Sequence, residues 1–386
     1  MRKSSSPTNN IPADRAIWVD NPAQLKQLIK ILLDESVVAV DTESDSLYSY
    51  FEKVCLIQFS TPKSDYLVDP LNVDVSDLGQ FFANDSIQKI FHAAEYDLLS
   101  LKRDYGFSFD NLFDTMIAAR ILGWSRYGLA PLLKEYFDVK LDKRFQRYNW
   151  GQRPLNHKAL HYARLDTHFL LPLRKIQFEQ LEKENRLREA TEAFERETQV
   201  EPTPKIFNAA DFWRIKGAKE LQPRQQAILR ELFVLRDKIA RKIDRPPFKV
   251  MNDFVLILLA RKQPQGSSEL EQVKGVGRNL MRYNSQDILK AISKGQTAPL
   301  PHYQPGNHHR PDEETMIRYE TLRQWRNNLA SERGVEPDVI MNNDTLMGIA
   351  SHNPHSLTRL ANIEILGDWQ FETYGKQLIK VLKSMA

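Results

Sequence analysis

The sequence predicts a mixed α/β domain, a sheet flanked by helices, followed by two small all-α domains. Three features carry that expectation. Residues 1–200 interleave short β-branched runs with stretches of helical periodicity. The last strand signal is at 89–92, helical patterns dominate from Glu95, and the composition changes near residue 200. Beyond it, two segments repeat each other at a constant offset of 90 residues.

The elements follow in order. Residues 16–20 read as a short strand, and 21–33 as a helix with apolar positions 25, 28, 29, 32 and 33. Residues 37–40, Val-Val-Ala-Val, read as a buried strand. Two more strands, 54–59 and 66–68, flank a turn at 61–64, and 89–92 gives another. From Glu95 the pattern is mostly helical. A long charged helix is expected from near Leu155 through Arg196, until Pro202 and Pro204 break it. In the repeat, Arg236, Pro247, Met251, Asn252 and Leu256 fall on Arg326, Pro337, Met341, Asn342 and Leu346 with no gap. Two copies are too few for a solenoid, so they read as two small helical domains. The expected organisation is a disordered tail at 1–13, the α/β domain at 14–200, one helical domain at 201–298, a proline-rich linker at 299–311 and a second helical domain at 312–386.

Composition narrows the chemistry. One cysteine, Cys55, excludes an internal disulfide framework and a cysteine-rich zinc site. The longest apolar run, 254–260, is far short of the ~20 residues of a membrane span. The start, MRKSSSPTNN, has no apolar core. A cytoplasmic, monomeric protein without a membrane partner is expected. The net charge of +4 is unevenly spread. Residues 201–300 hold 19 Lys and Arg against 10 Asp and Glu, net +9, while the parts on either side are slightly acidic. A basic middle suits a polyanion.

The carboxylates have informative spacing. Asp41 and Glu43 leave one strand on the same face, and Asp45 is in phase with them. Unpaired acids this close to a buried strand repel one another, a cost that divalent cations remove. Asp97 falls in the first turn of a helix after 89–92. Tyr162 and Asp166 lie one helical turn apart. Each alone reads as a cap or a solvated face. Together, four carboxylates and a phenol suit two hard cations, Mg²⁺ or Mn²⁺. Two such ions ~4 Å apart stabilise an in-line phosphoryl displacement.

In order and context these residues resemble the DEDDy 3′–5′ exonucleases, most closely the ribonuclease D family. The supporting stretches are Val38–Glu43, Leu56-Ile-Gln58, His92–Asp97, Gly128–Leu132, Arg153-Pro-Leu155 and Tyr162–Asp166. The segments after 210 resemble helicase-and-RNase-D C-terminal (HRDC) domains. The resemblance implies a ribonuclease H-like fold and a metal-dependent exoribonuclease. It would act on tRNA precursors or small structured RNAs with a free 3′ end and release nucleoside 5′-monophosphates. It further implies that Asp41 bridges two cations and that Glu43 and Asp166 complete the site of the attacking water. Asp97 would hold the second cation, and Tyr162 would orient the water. A DNA exonuclease of the same superfamily, or a non-catalytic RNA-binding scaffold, stays open at this point.

Other positions are weighed beside these. Asp114 reads as a helix cap. His157 and His161 have a zinc-compatible spacing but lack the H-E-x-x-H glutamate. His92, Arg153 and His161 are candidate substrate contacts. So are Lys274 and Arg278, which flank the Gly275-Val-Gly277 turn. His308 and His309 read as solvated linker residues. No P-loop and no G-x-S-x-G is present, so a nucleotide-driven motor and an acyl hydrolase are not expected.

Overall fold

A computed structural model describes residues 16–303 and 311–384. The expected tail, residues 304–310 of the linker, and His308 and His309 lie outside the described residues. The chain divides into two compact units. One comprises the residues up to Glu43, Val54–Pro202 and those from Pro311 onward; the other comprises Ser44–Lys53 and Thr203–Arg310.

The first unit is built on six strands: β1 (Ile17–Val19), β2 (Val37–Ser44), β3 (Val54–Ser60), β4 (Asp65–Val68), β5 (Gln88–Phe91) and β6 (Leu112–Asp114). Their order is β1-β4-β3-β2-β5-β6. The sheet is mixed. β3 and β4 pair antiparallel, while β1–β4, β2–β5 and β5–β6 pair parallel. β2 is therefore central. Val38, Ala39 and Val40 are fully buried, as the strand's unbroken apolar run requires when both faces are covered. Truncating a fully buried residue such as Leu32 to Ala costs about 2–5 kcal/mol. β6 was not expected from the sequence, because its place is set by parallel pairing with β5.

Helices α1 (Pro22–Leu33), α2 (Gly79–Phe82), α3 (Glu95–Tyr105), α4 (Thr115–Ile121) and α5 (Leu129–Phe137) pack against or extend this sheet. The expected 155–196 helix is instead three: α6 (His157–His168), α7 (Leu170–Lys183) and α8 (Leu187–Thr198). Asn185, in the left-handed region at φ 54°, makes the turn between the last two. One straight helix of this length would be about 60 Å long, more than one compact core can cover. The breaks let α8 return to pack on β6 and α4.

The same unit includes α14 (Glu313–Arg333), α15 (Pro337–Ile340), α16 (Asn343–His352), α17 (Leu357–Ala361) and α18 (Asp368–Lys383). Leu322, Ile340, Leu346 and Leu378 centre their own core. Polar clamps join this segment to the α/β layers. Arg333 pairs with the buried Glu189 at 2.5 Å, and the Trp369 and Gln370 amides donate to Glu192. Arg120 bridges Glu336 and Asp338.

The second unit holds α9 (Pro223–Lys242), α10 (Pro247–Val250), α11 (Asp253–Lys262), α12 (Ser267–Glu271) and α13 (Arg278–Thr297). α9 and α13 meet closely at Gly295, where a Cβ would stand 2.4 Å from the Ile228 Cα. Residues 44–53 belong to this unit. The Tyr50 hydroxyl donates to Asp237 at 2.7 Å, and the Tyr50 and Phe51 amides donate to Asp244.

The repeat is visible atom by atom. Arg236 donates to Met251 O and Asp253; Arg326 donates to Met341 O and Asn343. Asn252 caps α11 as Asn342 caps α16. No helix among the described residues is long and apolar enough to cross a membrane.

Candidate active site

Asp41 and Glu43 sit two residues apart on the central strand, so their side chains share a face. β2 continues to Ser44, which places both acids inside the strand rather than at its end. Asp45 does not join them. Its carboxylate accepts Ser49 Oγ at 2.6 Å and the Lys53 amide at 2.9 Å, closing the following loop.

Asp97 comes from the first turn of α3. It accepts the Thr42 amide at 3.0 Å and also the Thr42 hydroxyl. α6 supplies Tyr162 and Asp166, hydrogen-bonded to each other. Carboxylate oxygens of Asp41, Glu43 and Asp166 all lie within 4.8 Å of one another. Asp97 is near enough for its charge to act on all three.

Each carboxyl is pushed above its ordinary range, and burial is the first cause throughout. For Asp41 the charges of Asp97, Asp166 and Glu43 add to it. Glu43 feels Asp166 and then Asp97. Asp97 is raised to about 7 by burial, against the opposing Thr42 hydrogen bonds. Burial also raises Asp166, while the Tyr162 bond opposes it. The Tyr162 phenol is held above its ordinary value by burial and the nearby acids, so it is a neutral hydrogen-bond donor.

This donor set fits divalent cations. It is all oxygen, anionic, and expensive to ionise without a counter-charge. Asp166 Oδ1 is buried with no hydrogen-bond partner, the mark of an atom whose partner is supplied from outside the chain. Gln58 Nε2 steadies Asp41 from β3 at 3.2 Å.

Two buried networks aim these side chains. Asp65 on β4 accepts Arg164 Nε at 2.5 Å and His168 Nδ1 at 2.9 Å from α6, together with Ser60 Oγ at 2.6 Å. Burial alone would raise the Asp65 carboxyl, but those bonds hold it below its ordinary range. They lock α6 onto β3 and β4. Asp114 caps α4 through the Met116 and Ile117 amides and accepts the Ala93 and Ala94 amides as well. It therefore fixes the turn that launches α3 and Asp97. The cap reading of Asp114 came from sequence; its second pair of amides did not. Neither the Asp65 network nor Thr42 carried a sequence signal, because both depend on contacts across the sheet.

The remaining candidates fall elsewhere. Arg153 spends all five of its N–H donors on Asp69 and the Trp150, Gln152 and Cys55 carbonyls. It has no donor left for a substrate and is a structural clamp. His92 is half-buried at the end of β5, with Nδ1 2.9 Å from the Thr115 hydroxyl, and burial pulls its imidazole down. His161 is exposed on α6 beside Tyr162, and among the described residues His157 and His161 join no metal-ligand group. Lys274 and Arg278 are exposed in the second unit, flanking the start of α13, where Gly275 has φ 94° and a Cβ would meet Val255 at 2.6 Å.

Residues 16–182 match a family model described as 3′–5′ exonuclease, and residues 225–292 and 317–382 match the HRDC domain. The exosome complex component 10 homolog of Caenorhabditis elegans is 34% identical over 288 residues, 73% of this chain and 33% of that protein. The chain thus spans about a third of that relative's length. The ribonuclease D of Bartonella henselae is 27% identical over 373 residues, 95% of this chain and 89% of that one. Among solved structures, the catalytic core of RRP6 from Trypanosoma brucei superposes with a TM-score of 0.68 at 28% identity, over 76% of this chain and 83% of that one. Fold, carboxylate cluster and domain matches define a 3′–5′ exonuclease domain accompanied by HRDC domains. Over nearly its whole length the chain is similar to bacterial ribonuclease D.

Proposed function

We propose that this chain is a metal-dependent 3′–5′ exoribonuclease that shortens RNA from a free 3′ end and releases nucleoside 5′-monophosphates. The observation that carries the reading is the convergence of four carboxylates, those of Asp97 and Asp166 buried and those of Asp41 and Glu43 half-buried, and a neutral phenol beside the central strand. Asp41, Glu43, Asp97 and Asp166 would hold two divalent cations, Mg²⁺ or Mn²⁺. Bound there, the cations supply the positive charge that an in-line displacement at phosphorus requires.

The chain's own groups do the rest. The Tyr162 hydroxyl stays protonated and gives its single proton to Asp166, which leaves its oxygen as an acceptor that can orient a water. Asp166, bonded to Tyr162, fixes the direction of that hydroxyl. Thr42 holds Asp97 in register with Asp41. The all-carboxylate face repels RNA phosphates until cations neutralise it, so binding and chemistry share one requirement.

tRNA precursors and other small structured RNAs are the proposed substrates, on the likeness to ribonuclease D along nearly the whole chain. A monomer suffices, because every carboxylate of the site comes from one chain. The test is a pair of matched strands, RNA and DNA, each with a free or blocked 3′ end, in Mg²⁺ and in EDTA. Stepwise shortening of RNA only with a free 3′ end and Mg²⁺ is expected. Shortening that survives EDTA, or a strong preference for DNA, would overturn the reading.

A further inference from the structure

The two helical copies share an internal design but differ at their surfaces. Lys238 and Lys242 on α9 correspond, at the offset of 90, to Asn328 and Glu332 on α14. Residues 301–386 hold 9 Lys and Arg against 11 Asp and Glu, so the second copy is slightly acidic. It carries Arg333, Glu336 and Asp338 where the first copy has Ile243, Pro246 and Phe248. Those three residues meet the nuclease layers: Arg333 pairs with Glu189, and Glu336 and Asp338 pair with Arg120. Val339 adds an apolar contact with the core of those layers. The second copy thus presents docking side chains and lacks the basic row of the first.

The element that receives it is α8, and α8 also supports the cation site. The first two turns of α8 supply Glu189 and Glu192. α18 begins after Gly367 with no side-chain cap of its own, and Glu192 accepts its Trp369 and Gln370 amides, an acid at a helix N-terminus. The last turn of α8 meets α3. Glu197 accepts the Glu95 amide, and Thr198 O accepts Lys102 Nζ at 2.9 Å. Phe194 packs on Phe113 of β6, with ring centroids 4.8 Å apart. β6 ends in Asp114, whose carboxylate holds the Ala93 and Ala94 amides just before Asp97. One helix of 12 residues therefore connects the docked copy to the turn that presents a cation ligand. A close-packed interior has few voids to absorb a displacement, so a shift of α8 is felt at that turn.

We propose that the second helical copy is a positioning domain for the cation site: seated on α8, it holds the turn that presents Asp97 and so sets the affinity for the second cation. Its role rests on the two-cation reading above. Arg333 and Arg120 are its positioning residues, acting on Asp97 through α8 and the α/β layers rather than by touching a cation or RNA.

The test uses the full chain, with Mn²⁺ binding read by calorimetry in the absence of RNA, at a temperature where circular dichroism shows each variant folded. RNA affinity is read separately in EDTA. Arg333→Ala should weaken the weaker Mn²⁺ site about tenfold, the scale of losing a support behind a metal ligand, with RNA affinity unchanged. Arg333→Lys keeps a cation beside Glu189 and should recover most of that loss. Arg120→Ala loosens the same docking at exposed acids, without leaving a buried charge, and should shift Mn²⁺ affinity in the same direction by less; it decides the matter if Arg333→Ala does not fold. Mn²⁺ affinity within twofold of wild type in the folded variants would overturn the proposal. So would a loss of RNA affinity at unchanged Mn²⁺ affinity, which would make the copy an RNA contact instead. Wild-type protein that binds Mn²⁺ but never shortens RNA would sink the nuclease reading alone, and the Mn²⁺ affinities would still decide the positioning role.

Discussion

Asp97 carries the clearest pH signature of any single residue. Burial moves its carboxyl from an ordinary 3.8 to about 7. A carboxyl raised in the folded state favours the protonated protein. Its stabilising contribution is complete below about pH 4 and is lost as pH rises through about 7. Asp41, Glu43 and Asp166 shift the same way. In EDTA the Tm should therefore fall across roughly pH 4 to 7, and Mn²⁺ at the top of that window should restore it. A Tm indifferent to both would remove the cations from the site. Tyr162→Phe should cost about 10²-fold in the single-turnover rate, the scale of one lost orienting contact, with little change in RNA affinity. At this scale the sequence was informative, since the spacing of Asp41, Glu43, Asp97, Tyr162 and Asp166 already suggested one constellation. It was misleading at Arg153, whose five donors are consumed by backbone and Asp69, and at Asp45, which closes a loop. No local pattern distinguishes an arginine that meets substrate from one that meets its own fold.

At the scale of elements, the site depends on how α6 and α3 are held against the sheet. Arg164 and Asp65 are both buried, so removing one leaves an uncompensated charge. Arg164→Met should cost about 3–5 kcal/mol in urea unfolding. A cost under ~1 kcal/mol would show that the pair does not lock α6. Asp114→Ala leaves four amides without their shared acceptor, two of them in the turn before Asp97. The variant should lose stability and also bind metal more weakly, whereas loss of a helix cap alone would spare metal binding. Strands with apolar runs, such as 37–40, could be read from sequence because β-branched residues announce burial. The three-residue β6 could not, because its place is set by pairing with β5. The run from 155 to 196 looked continuous because charge and helical period persist through it, while its breaks answer to the packing of α8.

At the scale of the whole molecule, the duplicated helical segments have separate fates despite their shared internal design. The copy from Pro311 onward belongs to the same unit as the nuclease layers, through Arg333–Glu189, Glu192 and Arg120. Arg333→Ala should therefore lower the Tm of the full chain by leaving Glu189 buried and unpaired, an effect no isolated surface charge would have. The offset of 90 revealed the duplication, but the sequence gives no account of which copy docks where, since docking uses side chains outside the repeated positions. The charge asymmetry pointed to the basic segment, where Lys238, Lys242 and Lys290 are exposed on α9 and α13.

The central claim is that four carboxylates from one chain hold the cations for 3′-end cleavage of RNA. Its most direct test is the single-turnover release of the 3′-terminal nucleotide in saturating Mg²⁺ by wild type and Asp41→Asn, with folding of both followed by circular dichroism. The account predicts release of a nucleoside 5′-monophosphate by wild type and a rate reduced at least ~10³-fold in the folded variant. A folded Asp41→Asn protein that cleaves within tenfold of wild type would contradict it.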